Sequence, residues 1–325
     1  MNVTNSDSSN NHSDNGTDDK TLSPVSREAM HGGLMRTATY ASVTVASILI
    51  VAKLGGWLAT GSVSILSSLV DSILDAGASI INLLAVRHAF QPADREHRFG
   101  HGKAESLAGL AQAAFIAGSG VFLLLEAIDR FVNPQPITNT GLGMSIMMVS
   151  IALTIVLVGF QLYVIRKTKS VAINADSLHY RADLLVNIAV IVSLILASKF
   201  QWFIVDPMFA LAIVAYMSYG AFDIARQSLD VLMDKELPAE ERARIKEIAM
   251  SHPKVFDVHD MRTRSAGSNL FIQLHIDMPR EITLIEAHDI AEDVMALVEG
   301  AYPEAEVLVH QDPEGVDERR DEVQD

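Results

Sequence analysis

Two pairs of acidic and imidazole side chains stand inside otherwise apolar segments of the chain. Asp71 and Asp75 lie four residues apart in SILSSLVDSILDAGASIINLLAV, and His179 and Asp183 repeat that spacing in ADSLHYRADLL. A spacing of four puts both members of a pair on one face of a helix. A carboxylate in hydrocarbon costs about 2.5–3.5 kcal/mol on insertion scales, so such a residue in a membrane segment favours a functional role.

Two facing helices with these pairs would present three carboxylates and one imidazole to a common point. Four ligands of this kind suit a tetrahedral divalent metal, zinc above all. The imidazole disfavours Mg²⁺ and Ca²⁺, whereas Fe²⁺, Cd²⁺ and Co²⁺ stay open. The alternative is that each side chain only hydrogen-bonds another helix, but two such pairs in two segments favour the metal site. Its predicted members are Asp71, Asp75, His179 and Asp183.

Two further groups of possible metal ligands lie outside the apolar segments. Asp94, His97 and His101 fall in the polar stretch QPADREHRFGHGK, where their spacing fits a three-ligand site and a solvated loop is the alternative. The C-terminal part holds the other group: His259, His275, His288, His310, Gln311 and Asp312. These residues are too far apart along the chain for spacing alone to establish a site.

The composition indicates a chain with an apolar part and an acidic part. Of its 325 residues 49% are hydrophobic, yet its formal net charge is −15. This contrast favours membrane segments joined to a soluble acidic domain. Cysteine is absent, which excludes disulfides and thiolate ligands, so His, Asp and Glu must hold any metal.

Six apolar segments, each close to the roughly 20 residues that a helix needs to cross a bilayer, predict a six-helix membrane domain. We place the spans at 36–58, 63–89, 105–131, 141–165, 172–198 and 202–224. Basic residues concentrate in the second and fourth of the predicted loops: Arg95, Arg98, Lys103, Arg166, Lys167 and Lys169. Such loops face the cytoplasm, so both chain termini are predicted there as well.

The other regions are predicted from composition and residue periodicity. Residues 1–32 form a polar tail that cannot bury a core and is predicted to be disordered. The transmembrane domain covers 33–226, a soluble domain 227–313, and an acidic tail 314–325. Within 227–313 the pattern predicts the order α-β-β-α-β, a ferredoxin-like or metallochaperone-like α+β domain. In NLFIQLHID apolar and polar residues alternate, as in a strand with one buried face.

Several stretches carry a family resemblance: SLVDSILD, PADREHRFGHGKAESLAGLAQ, ADSLHYRADLL, HDMRTR and VLVHQDP. Over about residues 33–313 the chain resembles the cation diffusion facilitators, and within them the bacterial exporters of zinc and ferrous iron. The resemblance implies a secondary transporter rather than an enzyme. It implies a homodimer in the bacterial inner membrane that exports divalent metal in exchange for protons, with no nucleic-acid partner.

The resemblance also implies roles for the candidate residues. It implies a transport site in the pattern linked to zinc, cadmium and iron rather than manganese, formed by Asp71, Asp75, His179 and Asp183. Asp94, His97 and His101 become a loop site. The six C-terminal candidates become a cytoplasmic site that holds structural zinc and stabilises the dimer. Lys103 and Asp234 become an ion pair that locks the dimer where the membrane and soluble parts meet.

Three other functions fit the same residues less well. An intramembrane metalloenzyme is disfavoured because the chain lacks H-E-x-x-H and four ligands leave no open position for a catalytic water. A passive channel needs weak, multiple sites, whereas a closed four-ligand site binds zinc tightly. A membrane-anchored metal sensor needs only one span. Competition between metal and protons for the same ligands predicts proton-coupled export.

Overall fold

The computed structural model describes residues 24–61, 63–132, 141–200, 202 and 204–316. Six long helices come first: α1 Pro24–Thr60, α2 Val63–Ala89, α3 Lys103–Val132, α4 Gly141–Thr168, α5 Val171–Phe200 and α6 Val205–Leu232. They are followed by α7 Ala239–Met250, β1 Asp257–Ala266, β2 Asn269–Met278, α8 Leu284–Ala301 and β3 Ala305–Pro313. The predicted fold class, a helical membrane domain followed by an α+β domain, is confirmed.

The long helices have the composition of membrane spans. Within the described ranges, five helices (α1 to α4 and α6) are long and apolar enough to cross a bilayer. Helix α5 is equally long, but its first half carries Asp176, His179, Arg181 and Asp183. Large apolar side chains on the bundle surface stay uncovered by protein: Val51, Leu58, Phe122, Val156, Tyr219 and Phe222. Lipid tails cover such side chains as well as another apolar helix does.

The helices extend beyond the apolar segments that predicted them. Helix α1 begins at Pro24, a residue favoured in the first turn, so residues 24–32 of the predicted polar tail are helical. Residues 1–23 and 317–325 of the predicted tails lie outside the described residues. Helix α6 continues to Leu232, so the predicted domain boundary at 226 falls inside it. An apolar run marks the part of a helix that lipid covers, not the end of its hydrogen bonding.

Small residues line the contacts between the membrane helices. Helix α1 packs against α2 and α4, α3 against α6, and α5 against α3, α4 and α6. The contact residues that are almost fully buried include Ala38, Ser42, Ser79, Ala172, Ala175 and Ala182. Such residues let helix backbones approach closely, which is how helices associate in lipid. This close packing positions the polar side chains of α2 and α5 against each other.

The soluble domain is a three-stranded sheet covered by two helices. Strand β2 is central, antiparallel to β1 and parallel to β3. Its fully buried residues Ile272, Leu274 and Ile276 pack with side chains from α7 and α8, whereas Gln273 and His275 lie on the other face. The predicted alternation of β2 is therefore observed. It leaves the polar face of the sheet free to carry functional side chains.

The loop between α2 and α3 contacts the β1–β2 turn. A Cβ atom on Gly102 would stand 2.1 Å from the carbonyl oxygen of Ala266, so only glycine permits this approach. The Arg264 guanidinium lies 4.6 Å from the ring centroid of Phe99 in the loop. Lys103 Nζ lies 2.8 Å from Asp234 Oδ1, so the predicted pair is formed within one chain. The membrane and soluble domains thus meet through specific contacts.

Candidate functional site

Asp75 of α2 and His179 and Asp183 of α5 converge, and we call them the transport cluster after the transport site that the family resemblance predicts. His179 Nε2 lies 2.8 Å from Asp75 Oδ1 and 3.5 Å from Asp183 Oδ2. One ligand atom from each residue lies within 4.8 Å of the other two. The close contact with Asp75 is not aligned as a hydrogen bond, so both buried ring nitrogens of His179 lack a hydrogen-bond partner among the described residues. Convergent ligand atoms around an unsatisfied imidazole suit a divalent metal.

Asp71, the fourth predicted ligand, lies one helical turn before Asp75 and outside the closely spaced set. It lines the same cavity, of about 140 Å³, as Asp75 and Asp183. The structure therefore brings three of the four predicted ligands together and puts the fourth on the wall of their shared cavity. Lys53 of α1 lines this cavity too. Sequence reasoning missed it, although a lysine inside an apolar run was a signal.

A second buried carboxylate, Asp176, lies one helical turn before His179 in α5. It is fully buried and accepts hydrogen bonds from Ser42 Oγ at 2.5 Å, Gln161 Nε2 at 2.8 Å and Ser79 Oγ at 3.3 Å. These donors belong to α1, α4 and α2. Asp176 therefore joins four helices behind the transport cluster. Sequence reasoning did not assign it, although it is an acidic residue three positions before His179 in a membrane helix.

Replacing Asp176 with Ala is expected to destabilise the membrane domain by about 2–4 kcal/mol, because buried donors lose their acceptor. Asp176→Asn should cost less, because its amide oxygen still accepts a hydrogen bond. Thermal unfolding of the full chain in detergent measures both. Asp223, an exposed acidic residue of α6, provides the control variant Asp223→Ala. Equal unfolding temperatures for Asp176→Ala and Asp223→Ala would contradict the structural role.

Asp94, His97 and His101 converge in the α2–α3 loop, and we call them the loop cluster. His97 Nδ1 and His101 Nε2 each lie 3.3 Å from an oxygen of Asp94, and the three ligand atoms lie within 4.8 Å of one another. The backbone N–H of His97, above all, and that of Glu96 donate to Asp94 and lower the pKa of its carboxyl group. This carboxylate stays ionised to lower pH than a free Asp, as metal binding requires.

A further histidine, His88 near the end of α2, lies beside the loop cluster. Its ring centroid lies 4.5 Å from that of His101. The ring centroid of His97 lies 4.6 Å from that of His101. His88 is exposed and lies outside the closely spaced ligand set. Sequence reasoning missed it because its separation from His101 matches no ligand motif. Three neighbouring imidazoles therefore lie where α2 meets the loop: one on the helix and two in the loop.

The register of the sheet aligns three predicted histidines of the soluble domain. His259 of β1 pairs with His275 of β2, which pairs with His310 of β3. The ring centroids lie 5.4 Å and 4.4 Å apart. Asp312 lies two residues after His310, on the same face of β3. We call these four residues the sheet cluster. A β-bulge follows His259, with Asp260 at φ 42°.

Asp312 is the centre of the sheet cluster. Its Oδ2 lies 2.9 Å from His275 Nδ1 and 3.4 Å from His259 Nε2, and its Oδ1 lies 3.2 Å from His310 Nε2. The His259 side chain is 9% exposed, and in the described part of the chain neither of its ring nitrogens has a hydrogen-bond partner. Orphaned imidazole nitrogens beside a buried carboxylate fit a bound zinc ion.

Two of the predicted cytoplasmic ligands stay apart from the sheet cluster within one chain. His288 lies exposed on α8. Gln311 faces the opposite side of β3 from its two neighbours in sequence, because side chains alternate along a strand. The structure thus assembles four of the six predicted residues. The metal-binding roles of all three clusters stay predictions.

Two family models match consecutive parts of the chain. Residues 39–233 match the cation efflux transmembrane domain. Residues 237–314 match the cytoplasmic domain of cation efflux proteins. The junction between the matches falls just after α6 ends at Leu232. Together the two models cover both structural domains.

Curated relatives match along nearly the whole chain. Cation-efflux pump FieF from Escherichia coli is 45% identical over 283 residues, which is 87% of this chain and 94% of the relative. The protein of the same name from Shigella sonnei gives the same values. Among solved structures, the zinc form of CzrB is 30% identical over 26% of this chain and 99% of that chain, with a TM-score of 0.25. A cadmium form of the MamM CTD is 30% identical over 24% of this chain and 98% of that chain, with a TM-score of 0.22.

Proposed function

The chain belongs to the cation efflux family, the cation diffusion facilitators, and on that premise we propose that it is a proton-coupled antiporter exporting zinc from the cytoplasm. Membership makes it a multi-pass membrane transporter of divalent metals and not an enzyme. The proposal of proton-coupled zinc export rests on the transport cluster, whose ligand atoms converge between α2 and α5 beside a cavity. Intramembrane ionisable groups of this kind mark ion pathways.

Proton coupling follows from the chemistry of the ligands. Carboxylates and an imidazole must lose their protons before they bind a metal, so metal and protons compete for the same atoms. Metal that enters from the cytoplasm displaces protons from Asp75, His179 and Asp183. The helices then reorient and expose the cavity to the other side. Protons that enter from that side displace the metal and return the protein to its starting state.

Zinc is the proposed substrate because two carboxylates and one imidazole converge in the cluster, with a further carboxylate, Asp71, on the cavity wall. The same ligands accept Cd²⁺ and Fe²⁺, so these ions are secondary substrates in the proposal. The name of the FieF relatives specifies cation efflux, which agrees with export. Competition of Cd²⁺ and Fe²⁺ with zinc in a flux assay ranks the three ions.

Zinc bound in the soluble domain is proposed to steady a homodimer. The residues that would hold it are the sheet cluster: His259, His275, His310 and Asp312. Bound zinc would cross-link the three strands at their polar face, where His310 is 61% exposed. The Lys103–Asp234 pair at the domain junction would keep the membrane domains in register with that dimer. The basic residues of the loops support the proposed orientation, with the soluble domain and both termini on the cytoplasmic side of the inner membrane.

The test of this function is zinc flux into proteoliposomes with an acidic lumen. We expect zinc uptake to rise with the imposed proton gradient and to fall when a protonophore removes it. An antiporter requires this, because the outward proton flow drives zinc inward. Uptake that is indifferent to the gradient would instead indicate a channel or uniporter and would remove the argument from proton competition.

A further inference from the structure

Lys53 puts a cationic side chain in the wall of the cavity that Asp75 and Asp183 of the transport cluster line. It lies in the apolar stretch SILIVAKLGGW of α1. Its Nζ donates hydrogen bonds to Ser72 Oγ at 2.7 Å and to the Ser68 carbonyl oxygen at 3.1 Å. Both partners belong to α2. A lysine inside a membrane helix is costly and therefore indicates a functional role with an identifiable partner.

Three carboxylates share the cavity with Lys53. Asp71, Asp75 and Asp183 line the same walls. An ammonium group has three N–H donors, and two of them are used by the serine contacts on α2. The side chain is thus anchored to α2 in the wall of the cavity that the carboxylates line. It is not a metal ligand, because an ammonium has no free electron pair to offer.

We propose that Lys53 is the resident counter-cation of the transport site and matches its charge to a divalent ion. This inference rests on the proposed metal-binding role of the transport cluster. With His179 neutral, the three carboxylates and the Lys53 ammonium together carry two net negative charges. One divalent cation neutralises them. Without Lys53 the cavity would keep one negative charge after the metal had bound, in a region where an uncompensated charge is costly.

The same charge weakens metal binding and so permits release. A cation next to the ligands repels an incoming metal, and this repulsion is stronger in a low-dielectric site than in water. The metal is therefore held less tightly than three carboxylates alone would hold it. Lys53 acts on the metal through its electric field in the cavity, not through a bond to the metal.

A purely structural role for Lys53 is the alternative, since its hydrogen bonds tie α1 to α2. Three variants distinguish the effect of the Lys53 charge from the effect of its hydrogen bonds. Lys53→Gln can keep a hydrogen bond to α2 but has no charge, Lys53→Arg keeps the charge, and Lys53→Met has neither and suits an apolar helix. Thermal unfolding of the helices in detergent, compared with the unmodified protein, reports whether the membrane domain of each variant is folded.

The experiment is a calorimetric zinc titration of the full-length protein in detergent at one fixed pH. The component lost in Asp75→Ala is assigned to the transport site. We expect Lys53→Gln and Lys53→Met to bind zinc there about tenfold more tightly than the unmodified protein, and Lys53→Arg to stay within about threefold of it. If Lys53→Gln fails to fold, Lys53→Met carries the same expectation.

Two outcomes would overturn the inference, and they differ in what else they overturn. If Asp75→Ala removes one component and the uncharged variants bind zinc there with unchanged affinity, Lys53 only ties the helices together and the transport site stands. If Asp75→Ala removes no component, the proposed transport site fails and the role of Lys53 fails with it.

Discussion

Asp75→Ala is expected to abolish zinc transport while the protein stays folded. Asp75 Oδ1 lies 2.8 Å from His179 Nε2, so this change removes one of the three converging ligands and leaves the imidazole facing a void. We expect zinc affinity at the transport site to fall by at least about 100-fold, since even the loss of an outer-shell partner costs 10–100-fold. Zinc uptake into proteoliposomes with an acidic lumen should then equal uptake by protein-free vesicles.

The matched control is Asp223→Ala, which removes an exposed carboxylate from α6 and should leave uptake unchanged. An unfolding temperature of the Asp75→Ala variant in detergent close to that of the unmodified protein shows that its membrane domain is folded. Uptake by Asp75→Ala at more than half the level of the unmodified protein would rule out the transport cluster as the site where metal crosses the membrane.

Asp312→Ala is expected to remove zinc from the soluble domain. Asp312 contacts His259, His275 and His310, so its loss deprives the cluster of its shared, buried carboxylate. Zinc at 100 times its Kd stabilises a folded protein by about 2.7 kcal/mol, and this zinc-dependent stabilisation should vanish. Metal analysis after dialysis, together with unfolding with and without zinc, measures the two effects.

Two further variants sharpen the result for the soluble domain. The double variant His275→Ala, His310→Ala should lose zinc as Asp312→Ala does, because it removes two imidazoles that contact the same carboxylate. Asp293→Ala, which removes a carboxylate that is 72% exposed on α8, should retain it. Zinc content that is the same in Asp312→Ala, the double variant and the unmodified protein would show that the sheet cluster holds no metal.

The helices of this protein were predictable because their signals are local. A membrane span shows as an apolar run, and a spacing of four residues puts Asp75 with Asp71, and His179 with Asp183, on one face of a helix in any fold. The loop cluster was predictable for a similar reason, since Asp94, His97 and His101 lie within eight consecutive residues. A short segment can bring its own side chains together with few long-range contacts.

The partners of those helices were not predictable in the same way. Same-face spacing does not specify how far α2 is rotated towards α5, and that rotation brings Asp75 into the transport cluster and leaves Asp71 on the cavity wall. The role of Lys53 depends on the neighbouring helix α2, and that of Asp176 depends on α1, α2 and α4. Lys53 belongs to no spaced pair. The spacing of three between Asp176 and His179 gave no information on the helices that Asp176 contacts.

The sequence by itself determined which segments are apolar enough to cross a membrane, which residue types can bind metal, and which face of β2 is buried. The tertiary structure decided which of these residues meet. His259, His275 and His310 become neighbours only through the pairing of β1 with β2 and of β2 with β3, and α8 separates the last two strands in sequence. Periodicity records the environment of one segment, whereas register is set by hydrogen bonds between segments.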